Sequence, residues 1–461
     1  MIKYSLIYFI IFLSQLTLAQ EKQYTQLIQK GLTHVLSLQK KENSGENFWK
    51  GEWPSDMMNL KSVIALGPKG KTASDSNCFT TALVHNELVK YVLRNNELSE
   101  NVAHSINLAI ENILTFKTEK DTFNFWHKLP MTDVIKDKAS IEYKNQLVSR
   151  PNNYPLTNTF AAVRSNIADD ADDTAVAYSA TYLNQVLNKK YESKIIKSTW
   201  GPVEVENIFN EHRDLNRNAA NPFNRINGIK KNTGAYLTWL SKQNSSFMGS
   251  VLKGWKDDLR IPEGSNNVDC IVNANVLQMF SHYGFQNSEG SKAACRFIED
   301  SIDRGIIKKC GVYYPNPYHL HFSVSQAYEA GAECLKSSAE KLFADLKQTQ
   351  NANGSWSLIK KSTKEHIKEI VDPISSSVYA GNAFFTFAKL FSLDLSSAKQ
   401  ADLAADYIAQ AAQTAQDGSI YWKAGVFFSG GTFVRKTVVW KSEAYTTMLA
   451  VQALDRYQNL N

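Results

Sequence analysis

No Cys-x-x-Cys pair occurs anywhere in these 461 residues, which excludes a cysteine-rich metal site of the ribbon or finger type. No run of basic residues occurs either. The net charge is +6, and the lysines and arginines are spread along the chain rather than gathered into the basic stripe that a nucleic acid needs. Beyond the N-terminus no apolar run approaches the roughly 20 residues of a membrane-spanning helix. Strand patterns are scarce: only isolated pieces such as Gly311-Val312-Tyr313-Tyr314 and Phe427-Phe428 read as β. The composition gives no sign of disorder. With 43% hydrophobic and 11% aromatic residues, the chain can bury a large core.

The first residues carry the one long apolar run. Lys3 supplies a positive charge, Leu6 to Leu13 is nearly all apolar, and Thr17-Leu18-Ala19 ends small before Gln20. This is the pattern of a secretory signal peptide over residues 1–19, and it implies a periplasmic or extracellular protein; an uncleaved anchor is the alternative. Five cysteines follow, Cys78, Cys270, Cys295, Cys310 and Cys334. Cys310 can close a local loop with Cys295 or with Cys334, and the odd count leaves at least one unpaired.

Helical spacing dominates what remains. Segments 24–39, 78–93, 102–116, 170–187, 231–243, 268–283, 291–304, 322–331, 337–350, 374–391, 397–415 and 442–457 read as helices, with 43–70 and 117–167 as long loops. Two kinds alternate. Six are small, apolar and entered by a polar cap, as at Asn77-Cys78, Asp173-Thr174, Asn267-Val268, Phe322-Ser323, Ser375-Ser376 and Ser442-Glu443. The others are amphipathic, such as 337–347. Helices apolar all round belong inside, and helices with one polar face belong outside. The expected fold is therefore all-α, an (α/α)6 toroid of two concentric helix rings. It occupies residues 20–461 as a single domain, has no sheet beyond short hairpins, and gathers the inner caps at one mouth.

One inner helix opens on Asp169-Asp170-Ala171-Asp172-Asp173-Thr174-Ala175. A helix N-terminus has unpaired N–H groups and a positive pole that suit carboxylates. Crowded acids also push their pKa values apart, so one can keep a proton beside charged neighbours. A general acid needs that arrangement. An acidic N-cap without chemistry is the plain alternative.

The stretch Asp170-Ala171-Asp172-Asp173-Thr174-Ala175 resembles the DxDD motif, often DxDDTA, of class II terpenoid cyclases, the squalene-hopene cyclase-like family. Gln350-Asn351-Ala352-Asn353-Gly354-Ser355-Trp356 is similar to that family's QxxxGxW repeat. Residues 30–39 with Gly51-Glu52-Trp53, and 413–422, resemble partial copies, and His34 stands where an aromatic is usual. The resemblance implies that Asp172 is the catalytic general acid, with Asp170 and Asp173 as its supports. A carbocation formed by protonation needs aromatic faces and no water, for which Phe125, Trp126, Tyr313, Tyr314, Phe427, Phe428 and Trp440 are candidates. The implied partner is a small-molecule isoprenoid, with peripheral membrane contact as a corollary. No metal or cofactor is implied, save Mg²⁺ for a substrate that carries a diphosphate.

Three other uses of these residues stay open. Asp269-Cys270 with His319 or His321 faintly resembles the zinc set of protein prenyltransferases, although adjacent residues on a helix point to different faces. A secreted glycoside hydrolase or polysaccharide lyase would pair Asp172 with Asp75, Asp269 or Glu443, and stack sugars on Trp49, Trp53, Trp126 and Trp422. A toroid without catalysis would serve as a binding module.

Overall fold

In chain order the helices are α1 (24–38), α2 (Cys78–Asn95), α3 (Glu100–Leu114), α4 (Ala171–Lys190), α5 (Val205–Glu211), α6 (Pro222–Ile226), α7 (Cys270–Tyr283), α8 (Glu289–Asp303), α9 (His319–Glu329), α10 (Lys336–Thr349), α11 (Pro373–Phe391), α12 (Leu395–Gln410) and α13 (Glu443–Gln458). The structure, a computed structural model, describes residues 24–44, 48–62, 67–131, 145, 147–153, 166–197, 205–217, 221–240, 266–357, 368, 370–392, 394–430 and 436–460. The expected export segment, 1–19, lies outside them.

Helices α2, α4, α7, α9, α11 and α13 pack side by side, and α13 returns to α2 to close a ring. Their small residues make this possible. In α4 every residue from Ala171 to Thr181 is buried, and in α11 every residue from Ser375 to Ala388 is buried. Burying each large apolar side chain contributes about 1.5–3 kcal/mol. The outer helices bury one face only. α3 lies on α2 and α4, α8 on α7, α10 on α9 and α11, and α12 on α11 and α13. Gly31 of α1 lies against Val451 of α13, and Phe209 of α5 meets the Phe280 ring of α7 at 5.4 Å. The fold is the α/α toroid that the alternation of helices predicts.

Five inner helices begin on a side-chain cap: Asn77, Asp170, Asp269, Asp372 and Ser442. Over this end lies a four-stranded antiparallel sheet of β1 (Ser55–Asn59), β2 (Thr72–Asp75), β7 (Gly425–Gly430) and β8 (Val438–Ser442), in the order β2-β1-β8-β7. The pairs β3 (Lys128–Pro130) with β4 (Leu147–Ser149), and β5 (Gln413–Thr414) with β6 (Ile420–Tyr421), are hairpin-like ladders. The sheet corrects the expectation of hairpins alone. Its central pair joins opposite ends of the chain, with Asp56 opposite Lys441, and no local pattern encodes that. Gly311 to Tyr314 is not a strand.

Residues 231–240 are not helical either. Their backbone bonds go to other loops: Ala171 N to Thr238 O at 2.8 Å, Thr238 N to Asn267 O at 2.9 Å, Leu237 N to His212 O at 2.8 Å. Residues 241–243 lie outside the described part. The cysteine pairing also differs, with Cys270 joined to Cys310, Cys295 to Cys334, and Cys78 free and buried.

The three repeat-like segments make one set of bonds. Gln350 donates to Gly354 O and Gln400 O, and Trp356 Nε1 donates to Leu346 O at 2.9 Å. Gln39 and Trp53 do the same with Gly51 O, Ser105 O and Val35 O. Trp422 Nε1 donates to Ile408 O at 2.7 Å. Gly51 and Gly354 have φ of +93° and +84°, and a Cβ on either would sit 2.0 Å from a backbone oxygen of the neighbouring outer helix, so only glycine fits.

Candidate functional site

The acidic cluster is held from both sides. Asp169 accepts from Thr122 Oγ1 at 2.6 Å, Asn124 Nδ2 at 3.0 Å and Thr118 Oγ1 at 3.1 Å, which fastens the 117–124 loop to the helix start. On the other side Leu240 N donates to Asp169 O at 2.9 Å. Asp170 is the cap itself, its Oδ1 accepting from Asp172 N at 2.9 Å and Asp173 N at 2.7 Å.

Beyond the cap, the three carboxyls divide the work. Burial raises Asp170 to about 6, against the bonds it accepts from the Asp173 side chain and from the backbone N–H groups of Asp173 and Asp172. Asp173 is pushed well above the usual carboxylate range by burial, by the charge of Asp170, and by donating its proton to Asp170. Asp172 is pushed up likewise, by burial and then by the Asp170 charge. The helix pole favours the ionised form by only about 1 kcal/mol, and desolvation wins. Asp172 is thereby shifted toward its protonated form beside Asp170.

Two side chains the sequence did not reveal complete the acid. Asn275 Nδ2 on α7 donates to Asp172 Oδ1 at 2.7 Å. The Tyr314 phenol donates to Oδ2. Asn275 is one of several polar residues on that inner helix, with Asn273, Gln278 and Ser281, so no local signal singled it out. Asp269 places the second: it caps α7 through Ile271 N and Val272 N, and its other oxygen takes the backbone N–H groups of Val312 and Tyr313.

A narrow pocket lies against the three carboxyls, walled by Phe79, Phe125, Trp239, Tyr313 and Phe428. Phe428 stacks on Phe125 at 5.5 Å and on Tyr313 at 5.9 Å. Of the aromatics expected to bind substrate, Phe125, Tyr313 and Phe428 line this pocket, and Tyr314 reaches Asp172 instead. Trp126 and Trp440 stand one layer back. Phe427 packs its ring against Phe79 and Tyr445, at a bulge of β7 between Val426 and Phe428. Phe79 and Trp239 were not among the expected residues.

The same geometry bears on the other uses. Cys270 is in a disulfide, Asp269 is occupied, and His321 bonds Asp345 at 2.9 Å. Among the described residues no three His, Cys, Asp or Glu side chains converge as metal ligands. Asp75 is closed in by Trp126, Trp440 and Asn77, and Glu443 pairs with His34 at 2.9 Å. Trp53 and Trp422 are fully buried and cannot stack on a sugar, while Trp49 packs on His127.

No protein-family model matches the chain, and no curated protein matches it by sequence. Solved structures do match by shape. A protein from Actinoplanes is 13% identical, over 94% of this chain and 99% of that one, with a TM-score of 0.53. Cellobiose 2-epimerase from Spirochaeta thermophila is 12% identical, over 97% and 98%, with a TM-score of 0.52. Type II terpene cyclase MstE from Scytonema is 12% identical, over 95% and 100%, with a TM-score of 0.50. At such identities the likeness shows the toroid alone. Neighbours on this fold include a terpene cyclase and a sugar epimerase, and function must be argued from the site.

Proposed function

We propose that this chain is a proton-initiated, class II terpenoid cyclase whose general acid is Asp172. One observation supports it above the rest: a buried carboxyl, shifted toward its protonated form, opens onto a pocket walled by five aromatic rings. In the first step a C–H bond forms at the less substituted alkene carbon as the Asp172 O–H bond breaks, and the electron pair stays on the carboxylate. The positive charge on the other carbon is taken up by the next double bond, and a final proton loss gives an isomer of the substrate. Asp170 keeps Asp172 protonated beforehand, Asn275 and Tyr314 hold the carboxylate formed, and the aromatic faces stabilise the cation while excluding water. No cofactor enters this balance; Mg²⁺ would serve only a diphosphate on the substrate. On the same reading the mature chain begins at Gln20 as one toroid domain, works outside the cytoplasm, touches membranes peripherally as a lipid-processing enzyme, and binds no nucleic acid. The two disulfides favour an oxidising compartment.

A sugar-processing toroid is the second reading, and one feature favours it. Below Asn275 the ring encloses a second narrow pocket, whose lining includes the polar side chains of Asn86, Glu87, Lys90, Gln278, Ser323 and Gln326. The test separates the two. Purified protein is incubated with squalene and with linear prenyl diphosphates, and products are separated by mass. Cyclised isomers are expected from wild type, with a loss of about two to four orders of magnitude in Asp172→Asn and no change in melting. Silence on every polyprene, with an epimerised or cleaved glycan that Asp172→Asn abolishes, keeps the acid and replaces the reaction.

A further inference from the structure

The proton transfer leaves one deeply buried acid unused. Asp75 ends β2, two residues before the Asn77 cap of α2, and has no exposed surface. Trp126 Nε1 donates to both its oxygens, at 3.0 and 3.1 Å. Trp440 Nε1 donates at 2.8 Å and Asn77 Nδ2 at 3.0 Å. All these donors are neutral, and against their pull burial raises the carboxyl to about 7, so near neutral pH it is shared between its two forms and a cation in the pocket would draw it to the charged one. Burying an uncompensated carboxylate is expensive, so a strut that needed only hydrogen bonds would be better served by a neutral amide.

The two indoles lead from Asp75 to the pocket. Trp126 meets Phe125 edge-on at 5.1 Å, and Trp440 meets Phe125 at 5.6 Å and Phe428 at 5.4 Å. Phe125 and Phe428 line the space against Asp172. Tryptophan offers the strongest cation-binding face of any side chain. An indole whose N–H donates to an anion holds more electron density in its ring. When ionised, Asp75 thus stands as one negative charge behind an aromatic wall, held among the described residues by neutral donors.

We infer that Asp75 is the fixed counter-charge for a hydrophobic cation lodged in the aromatic pocket, acting through the indoles of Trp126 and Trp440. It is a positioning residue, one layer removed from the ligand. The inference rests on the cyclase reading for the origin of that cation, a carbocation during turnover. It requires of the resting protein only that the pocket prefers a cation to a neutral molecule of the same shape.

The measurement is calorimetric binding of a long-chain dimethylalkylamine, protonated at neutral pH, against the isosteric neutral hydrocarbon. Wild type should prefer the amine by about 10- to 100-fold, the scale of one nearby charge at an effective dielectric of about 20. Asp75→Asn, which keeps the shape and an acceptor, should abolish that preference while affinity for the hydrocarbon holds. A general loosening of the pocket would weaken both ligands together, and that result overturns the inference. So does a wild type without preference, or a preference that survives Asp75→Asn. Should Asp75→Asn fail to fold, Trp440→Phe and Trp126→Phe each remove one N–H and keep a ring. A partial loss of the amine preference then supports the counter-charge, and no loss refutes it. If wild type cyclises no polyprene yet shows the preference and loses it in Asp75→Asn, the cyclase reading falls and the counter-charge stands.

Discussion

The two ends of the inner ring treat their carboxyl groups in opposite ways. At the mouth, burial lifts Asp170 to about 6 and Asp75 and Glu52 to about 7, and pushes Asp172 and Asp173 higher still. At the far end, Arg456 grips Glu329 with two bonds of 2.7 Å and Arg94 Nε donates to Asp455 at 2.8 Å. Burial works against ionisation there too, yet the Arg456 charge and bonds outweigh it and hold Glu329 at about 2. The same six helices carry both ends. What decides is whether a cation is within reach, and among the described residues none lies beside Asp75, Asp170 or Asp172. One end is built to stay charged, and at the other the carboxyls give up protons only near or above neutral pH.

Placing a cation at the mouth should break that difference most severely. Asn275→Lys sets an ammonium beside Asp172 and pulls its pKa down, so the acid loses its proton at neutral pH. Turnover should fall by about two to four orders of magnitude and recover in part as pH is lowered, which a rate profile would show. Removing a partner at the far end comes next. Glu329→Ala leaves the buried Arg456 guanidinium unpaired, a loss of about 3 kcal/mol in a urea melt, moderated because about a third of the Glu329 side chain (35%) reaches solvent.

Glu52 gives the pH dependence. Its ordinary value is 4.5 and its folded value is about 7, through burial above all, against bonds from Ser76 and the Trp49 N–H. Between those values the native state binds more protons than the unfolded chain, so this group's contribution to stability falls as pH rises through the window. Glu52→Gln should match wild type at pH 4 in this respect and gain on it up to pH 7, by about 2 kcal/mol. Melts across that range would show the gap opening, and a constant gap would refute it. Tyr314→Phe should have the smallest effect. The phenol favours the carboxylate left after proton transfer, so its loss should cut kcat about tenfold and shift the alkaline limb upward.

The ring was legible because its signals are local. Asn77, Asp170 and Ser442 cap helices in the sequence as they do in the fold, and Gln350 with Trp356 makes the bonds its spacing promises. The acid was legible for the same reason, since Asp170, Asp172 and Asp173 share one turn. Partners that arrive from elsewhere were not. Tyr314 reaches Asp172 from a loop 142 positions away, and β1 finds β8 only once the toroid has closed. Residues 231–240 carry helical spacing, but their N–H groups have better acceptors in neighbouring loops. Phe427 and Phe428 are alike as letters, and a bulge at that point of β7, which no local pattern encodes, leaves the second in the pocket lining and the first outside it.

The Cys270–Cys310 bond joins the first residue of α7 to the loop that carries Tyr313 and Tyr314. Asn275 rides on that same helix. Both hydrogen-bond donors to Asp172 therefore belong to one covalently closed unit, completed by oxidation rather than by folding alone. Without that bond the Tyr314 loop keeps its hydrogen bonds to Asp269 and Ser429 and loses its one covalent tie to α7. The redox state of the surroundings thereby becomes a setting on how firmly Asp172 is gripped.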